Sequence, residues 1–343
     1  MANLKFENAI RGIPQGGPPI WFMRQAGRYH KHYQNLRKQH SFMELCKNPK
    51  LAAEVTLGPI QDFDFDVAIL FSDLLFPLEA LGMGLEYGDG GPKLGWHLTS
   101  EESLKNLRNV EDALPGLLFQ KEAMRQARLL IPQSKSLIGF VGGPWTLFTY
   151  AAQGKHDGNL TQAKVHLNLF KKFCEVLVPL LIKNIQLQFD GGAEIIMLFD
   201  TAAGELSPAI YKELVVPEIA KLARAFPKRL GYYSKMTHEA HLDHEIFSTG
   251  VLAGMGFDHR FELSGLLKNK KFAGFKQGVF DQSLLFARPD ELHKHLETYL
   301  APLKKLSREE RAGWVCGLGH GVLPGTPEEN VKLFIKTVRE FFS

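Results

Sequence analysis

Short apolar runs alternate with longer helix-like segments along nearly the whole chain, and this alternation constrains the fold more than any single motif. Eight runs read as strands: Ile20–Met23, Val67–Phe71, Leu137–Val141, Glu194–Phe199, Leu230–Tyr233, Val251–Met255, Phe272–Phe275 and Trp314–Cys316. A short apolar run alone does not separate strand from helix, but regular β/α alternation does, and it predicts a parallel sheet with helices outside. Eight such units fit a single-domain (β/α)8 TIM barrel of class α/β over residues 1–343; the alternative is an open doubly wound sheet. Between the runs, Asn159 to Phe189 reads as one long helix. Ser207-Pro208 reads as a cap followed by proline at the first helical position, and Thr326 with Glu329 and Ser307 with Glu310 read as capping boxes. Pro217 is expected to kink or divide its segment. Gly82 to Gly95 reads as a long glycine-rich loop.

Composition narrows the partners. Forty-one basic against 37 acidic side chains give a net charge of +4, with no basic tail. That argues against nucleic acid and suits an anionic small molecule if the charge is focused at one site. The three cysteines, Cys46, Cys174 and Cys316, are far apart and odd in number, which suits a reducing cytoplasm rather than a disulfide framework. The start, MANLKFENAI, has no apolar signal region, and Val176 to Ile185 is too short to span a membrane.

In a parallel barrel, chemistry gathers where strands end and loops converge. Here the first run is followed by Arg24-Gln25-Ala26-Gly27-Arg28 and the second by Ser72-Asp73. The third leads to Gly142-Gly143-Pro144-Trp145 and then Tyr150, the fourth to Asp200-Thr201, and the eighth to Gly317-Leu318-Gly319-His320-Gly321. Closure of the barrel would bring arginines, a carboxylate, a phenol, a hydroxyl and an imidazole to one mouth. Read alone, each has a plainer explanation: Asp73 as a helix cap, Tyr150 as core, His320 as a loop hydrogen-bonder. Other patterns carry less. GLGHG is not a dinucleotide fingerprint, no Walker A sequence occurs, and His238-Glu239-Ala240-His241-Leu242 lacks the second histidine of a zinc-protease motif. His238, His241 and His244 remain open as ligands at a helix end, against a solvated polar face.

WFMRQAGRY (Trp21 to Tyr29), GGPWTLFTY (Gly142 to Tyr150) and GLGHGVLPGTPEENV (Gly317 to Val331) closely resemble the signatures of the uroporphyrinogen decarboxylase family. FSD at Phe71–Asp73 and FDTAAG at Phe199–Gly204 extend the resemblance. It implies a (β/α)8 barrel, a homodimer and a cytoplasmic enzyme of haem biosynthesis with no metal and no organic cofactor. That enzyme decarboxylates the acetate arms of uroporphyrinogen III to methyl groups, giving coproporphyrinogen III. The resemblance makes Asp73 and Arg24 the catalytic candidates. It makes Arg24, Gln25, Ala26, Gly27, Arg28, Asp73, Tyr150, Thr201 and His320 the substrate-binding candidates. The chain departs from the family pattern in having His30-Lys31-His32 after the first motif, Ala202 for a tryptophan, Val279 for an asparagine, and Gly317 before LGHG. Two other readings stay open: a zinc methyltransferase of the same superfamily, whose usual His-x-Cys ligand pair is missing here, and a non-catalytic tetrapyrrole binder.

Overall fold

The computed structural model describes residues 2–88 and 90–343. Among the described residues nine strands form in chain order: β1 Val67–Ile69, β2 Glu86–Gly88, β3 Gly91–Lys93, β4 Ser136–Gly142, β5 Ile196–Asp200, β6 Leu230–Ser234, β7 Gly254–Phe257, β8 Phe275–Phe280 and β9 Trp314–Leu318. Seven of them make one parallel sheet in the order β1-β4-β5-β6-β7-β8-β9, and β2 and β3 make a separate antiparallel hairpin. The strands are buried on both faces, as a parallel sheet wrapped by helices requires. The sheet curls so that one apolar cluster fills its concave side, including Ile69, Ile138, Met197, Tyr233, Phe275 and Val315. The amino-terminal helix Leu4–Arg11 adds Phe6 and Ala9 to this cluster. Its cap residue Asn3 takes the Ser136 hydroxyl as acceptor, so the helix seats at the end of the sheet where strands begin.

The expected first strand, Ile20–Met23, is not a strand. It is a single parallel bridge at Ile20 to Cys316. The reason is local. Pro18 and Pro19 have no N–H, the Ile20 N–H goes to the Asp66 carboxylate (2.9 Å), and the Phe22 N–H goes to the Gln25 side chain (3.2 Å). The Trp21 N–H bonds the sheet, at 3.2 Å from the Cys316 carbonyl. The segment nonetheless touches both sheet edges, since the Cys316 N–H reaches the Pro19 carbonyl (2.9 Å) and the Asp66 N–H reaches the Ile20 carbonyl (3.0 Å).

Other expectations shift in detail. Strands β7 and β8 start later than the sixth and seventh apolar runs suggested, at Gly254 and Phe275. The long helix is broken into Thr161–Val165, a 3-10 turn, and Phe170–Asp190. Ser207 caps as expected, accepting the Ile210 N–H at 3.3 Å. A π turn, Tyr211–Val215, precedes Pro217 where the missing N–H loosens the ladder. Ser307 and Glu310 do form reciprocal bonds, at 3.1 and 2.8 Å. Thr326 does not cap: its hydroxyl donates to the Leu323 carbonyl (2.8 Å), and Pro327 occupies the cap position. His241 and His244 serve the backbone, His241 Nε2 meeting the Leu206 carbonyl (2.9 Å) and His244 Nδ1 the Ile246 N–H (3.2 Å). The glycine-rich loop holds the β2–β3 hairpin.

Candidate active site

Because the seven strands are parallel, every residue just past a strand lies at the same rim. Arg24 follows the bridged segment in a left-handed turn, φ 60°. Gln25 holds that turn. It is 1% exposed, and its side-chain nitrogen donates to the Val67 carbonyl (3.1 Å) while its oxygen takes the Phe22 N–H. Gln25 therefore braces Arg24 against β1; its amide does not present itself to a ligand. Ala26 and Gly27 are half-buried turn residues. Arg28 is exposed at the outer edge, where its charge is felt by Tyr33.

Asp73 lies four residues beyond β1. Its carboxylate accepts the Leu75 N–H at 2.8 Å, an Asx turn; Leu75, not Asp73, stands at the cap of the helix Phe76–Leu78. The Tyr87 hydroxyl, brought in by the β2–β3 hairpin, lies near enough to favour the charged form of Asp73. Burial raises the Asp73 pKa above the usual carboxylate range, opposed by the nearby Tyr87 hydroxyl, the Leu75 bond and the Arg24 charge. The residue still keeps partial solvent access, which fits a carboxylate at the floor of an open mouth.

Tyr150 is on the helix Pro144–Gln153, and that helix is fixed from β5. The Asp200 carboxylate, 0% exposed, accepts the Thr146 N–H (2.8 Å) and the Thr146 hydroxyl (2.7 Å). The Thr146 oxygen in turn accepts the Ala202 N–H (3.0 Å), and the Trp145 indole donates to the Ala202 carbonyl (3.0 Å). Asp200 thus caps the helix from another strand, and the clamp ties Tyr150 to the loop bearing Thr201. Burial lifts the Asp200 pKa to about 6, against the bonds from Thr146 and Tyr232. Burial, then the Asp73 charge, raises the Tyr150 pKa, and Arg24 pulls it back.

His320 follows β9. Its ring lies parallel to the Tyr233 ring, centroids 6.0 Å apart, with Nδ1 3.1 Å from the Tyr233 oxygen. The Tyr233 hydroxyl donates to the Gly319 carbonyl at 2.8 Å. A phenol has one proton, so Nδ1 must carry the hydrogen in that pair and Nε2 is left with a lone pair. Burial first, then the charges of Arg24, Lys235, His156 and His259, bring the His320 pKa down to about 3. The ring is therefore neutral near pH 7 and offers an acceptor rather than a charge. Gly321 lets Arg24 lie close: a Cβ there would sit 2.5 Å from the Arg24 Cδ. Gly317, the departure from the family's asparagine, has its side-chain space filled by the Gln277 amide, 2.4 Å from where a Cβ would stand.

Arg24, Asp73, Tyr150 and His320 are thus gathered: Arg24 acts electrostatically on the other three. Thr201 is placed by its strand end and stays half-exposed. The sequence reading missed Tyr87, hidden in a glycine-rich stretch, and Tyr233, which looked like core. It also missed Lys235, His156 and His259. Lys235 and His259 obey the strand-end rule, but the sixth run had been bounded at Met255, two residues before β7 ends. Two surface cavities of about 370 and 240 Å3, each lined in part by Lys271, contain none of these residues.

The fold and site define a class: an α/β protein with a curled parallel sheet and cationic side chains at its strand-end rim. The family model described as Uroporphyrinogen decarboxylase (URO-D) matches residues 1–341. The uroporphyrinogen decarboxylase of Pseudoalteromonas atlantica is 34% identical over 359 residues, covering 99% of this chain and 98% of that protein. That of Psychromonas ingrahamii is 34% identical over 353 residues, with 99% and 98% covered. A solved methyltransferase from Methanosarcina mazei shares the fold, with TM-score 0.73 at 17% identity and 99% of each chain covered. The chain belongs to the uroporphyrinogen decarboxylase family. Among the described residues no helix is long and apolar enough to cross a membrane.

Proposed function

We propose that the chain is a single (β/α)8 catalytic domain, residues 1–343, acting as a carboxy-lyase on uroporphyrinogen III in haem and porphyrin biosynthesis. It converts the acetate arms to methyl groups and yields coproporphyrinogen III. The reading rests above all on one carboxylate, Asp73, placed with Arg24, Tyr150 and His320 at a common strand-end rim.

The chemistry favours such a site. A porphyrinogen carries pyrrole N–H donors at its centre and carboxylates around its edge. An ionised carboxylate has about four acceptor positions. Asp73 accepts the Leu75 N–H and lies beside the Tyr87 hydroxyl, leaving capacity for ring N–H groups. Charge-assisted bonds of this kind are about twice as strong as neutral ones. Loss of CO2 needs somewhere for the electrons of the breaking C–C bond to go. A proton added to the pyrrole carbon makes the ring cationic, and the ring takes the pair as CO2 leaves. The exocyclic methylene then gains a proton and the ring carbon loses one, so each arm consumes one proton overall. Asp73 beside the cationic ring stabilises the state at the top of the barrier more than the ground state. This route needs no organic cofactor as electron sink. Arg24 and Arg28 offer planar forks for edge carboxylates, and Arg24 is also the candidate for delivering the proton, although a guanidinium is a poor acid near neutrality. His320, held neutral, accepts at Nε2 from a ring N–H or a protonated acid. The family resemblance carries a homodimer and a cytoplasmic setting, and light scattering tests the first.

The deciding experiment is anaerobic incubation with uroporphyrinogen III and product analysis. Coproporphyrinogen III with CO2 is expected, and Asp73→Asn is expected to fold but lose on the order of 10²-fold or more in turnover. Tight binding without CO2 release would favour a non-catalytic tetrapyrrole binder. Near-normal turnover in Asp73→Asn would remove Asp73 from its role.

A further inference from the structure

Lys235 is the first residue past β6, on the same rim as Arg24, and it is half-buried. Its main chain is held from both neighbouring loops. The Lys235 carbonyl accepts the Gly204 N–H from the β5 side at 3.0 Å. The next N–H, that of Met236, donates to the Asp258 carboxylate from the β7 side at 2.7 Å, and Met236 takes a left-handed φ of 61°. A Cβ on Gly204 would stand 2.6 Å from the Lys235 oxygen, so the loops are interlocked as well as bonded.

The side chain, by contrast, has no counter-charge. Among the described residues Lys235 forms no ion pair and no side-chain hydrogen bond. The nearby carboxylates serve others: Asp258 pairs with Arg260 at 2.7 Å, and Glu205 approaches Lys164 at 4.0 Å. The ionisable groups on which Lys235 acts, His320 and His156, are bases that its charge opposes. A half-buried cation set among other bases on a fixed main chain is unfavourable unless an anion arrives.

Strand order gives this cation its meaning. The Arg24 segment touches β1 on one side and β9 on the other. From it, β6 is the fourth strand in either direction, through β1, β4 and β5 or through β9, β8 and β7. Lys235 therefore faces Arg24 across the mouth, with Asp73 and Tyr150 supplied from β1 and from the helix after β4, along one side of that line.

We propose that Lys235 is a second cationic anchor of the site, binding a carboxylate on the part of the substrate opposite the arms held by Arg24. The assignment deepens the decarboxylase reading and rests on it. A macrocycle with carboxylates all round its edge is gripped at two poles, which holds its ring over Asp73. An ammonium on a flexible four-carbon stem suits a carboxylate on a flexible arm.

The test uses Lys235→Met, which keeps the apolar stem and removes the charge, and Lys235→Arg, which keeps the charge. Binding of uroporphyrin I, an air-stable octacarboxylate, is followed by fluorescence at low and high salt, alongside anaerobic turnover of uroporphyrinogen III. Lys235→Met is expected to weaken binding on the order of 10-fold, to reduce its salt dependence, and to leave the thermal midpoint unchanged or higher. Lys235→Arg should recover most of the affinity. A wild-type chain that turns over its substrate while Lys235→Met binds uroporphyrin I within twofold of it overturns the anchor and leaves the decarboxylase reading standing. A wild-type chain that neither binds uroporphyrin I nor releases CO2 overturns both.

Discussion

Gly321→Ala is the most discriminating perturbation of the site, because it touches no ligand and acts only by moving Arg24. An alanine Cβ at 321 would stand 2.5 Å from the Arg24 Cδ, 2.8 Å from Cγ and 3.2 Å from Cβ. Carbon atoms rest at about 3.5–4.0 Å, so the side chain must retreat by about 1 Å at Cδ. The main chain cannot absorb this. Arg24 is already in the narrow left-handed region, Gln25 braces it to β1, and the Val322 N–H holds the Met23 carbonyl at 2.9 Å. The displacement passes into the side-chain torsions and grows toward the guanidinium. A misplacement of about 1 Å costs on the order of 10²-fold in kcat/KM, or about 2.7 kcal/mol of transition-state stabilisation. Stability should fall by only about 1 kcal/mol, since a flexible side chain yields. Anaerobic steady-state kinetics and thermal melts measure the two separately. NMR titration adds a third readout: with Arg24 withdrawn, the His320 pKa should rise from about 3. The decisive control is a double-mutant cycle in uroporphyrin I binding. In an Arg24→Ala background only the contact with the Cβ at 3.2 Å remains, so Gly321→Ala should lose most of its effect. Kinetics within twofold of wild type, or an equal loss in both backgrounds, would refute the reasoning.

Three further outcomes follow from the same geometry. Tyr87→Phe removes a hydroxyl that helps hold the Asp73 pKa down; Asp73 then stays protonated to higher pH, and the acid limb of kcat against pH should move upward, whereas an unmoved limb would assign that limb to another group. Asp200 titrates near 6 when folded against an ordinary 3.8, so the native state binds its proton more tightly and stability should fall as pH rises between these values, by about 3 kcal/mol in total. Urea unfolding of Asp200→Asn should lack that fall, and equal pH dependence in both proteins would disprove it. Thr146→Val strands the Ala202 N–H and removes one donor from Asp200, which should cost about 2–4 kcal/mol, while Thr146→Ser should stay within about 1 kcal/mol of wild type. Denaturant midpoints decide it, and a Val variant as stable as the Ser variant would show that the clamp carries no load.

The alternation of apolar runs with amphipathic segments was enough to establish a parallel α/β architecture, because burying a strand on both faces demands an uninterrupted apolar run. Strand-end loops then pointed to Arg24, Asp73, Tyr150 and His320, since parallel strands put all their ends on one rim. The sequence also carried the family through its interlocked first and last motifs: Gly321 admits Arg24, and the two segments share backbone bonds.

Other features existed only once distant groups met. The apolar run Ile20–Met23 reads as a strand like the others, but its reduction to one bridge depended on Asp66, 46 residues away, taking the Ile20 N–H. Asp200 caps a helix whose own cap residue, Gly143, has no side chain, and no local pattern records a partner 54 residues distant. Tyr87 reaches Asp73 only through a hairpin that looked like loop. The protonation of His320 is likewise a tertiary property. Local sequence chooses which backbone groups can pair within an element; the fold alone decides which buried groups and charges share the same low-dielectric space.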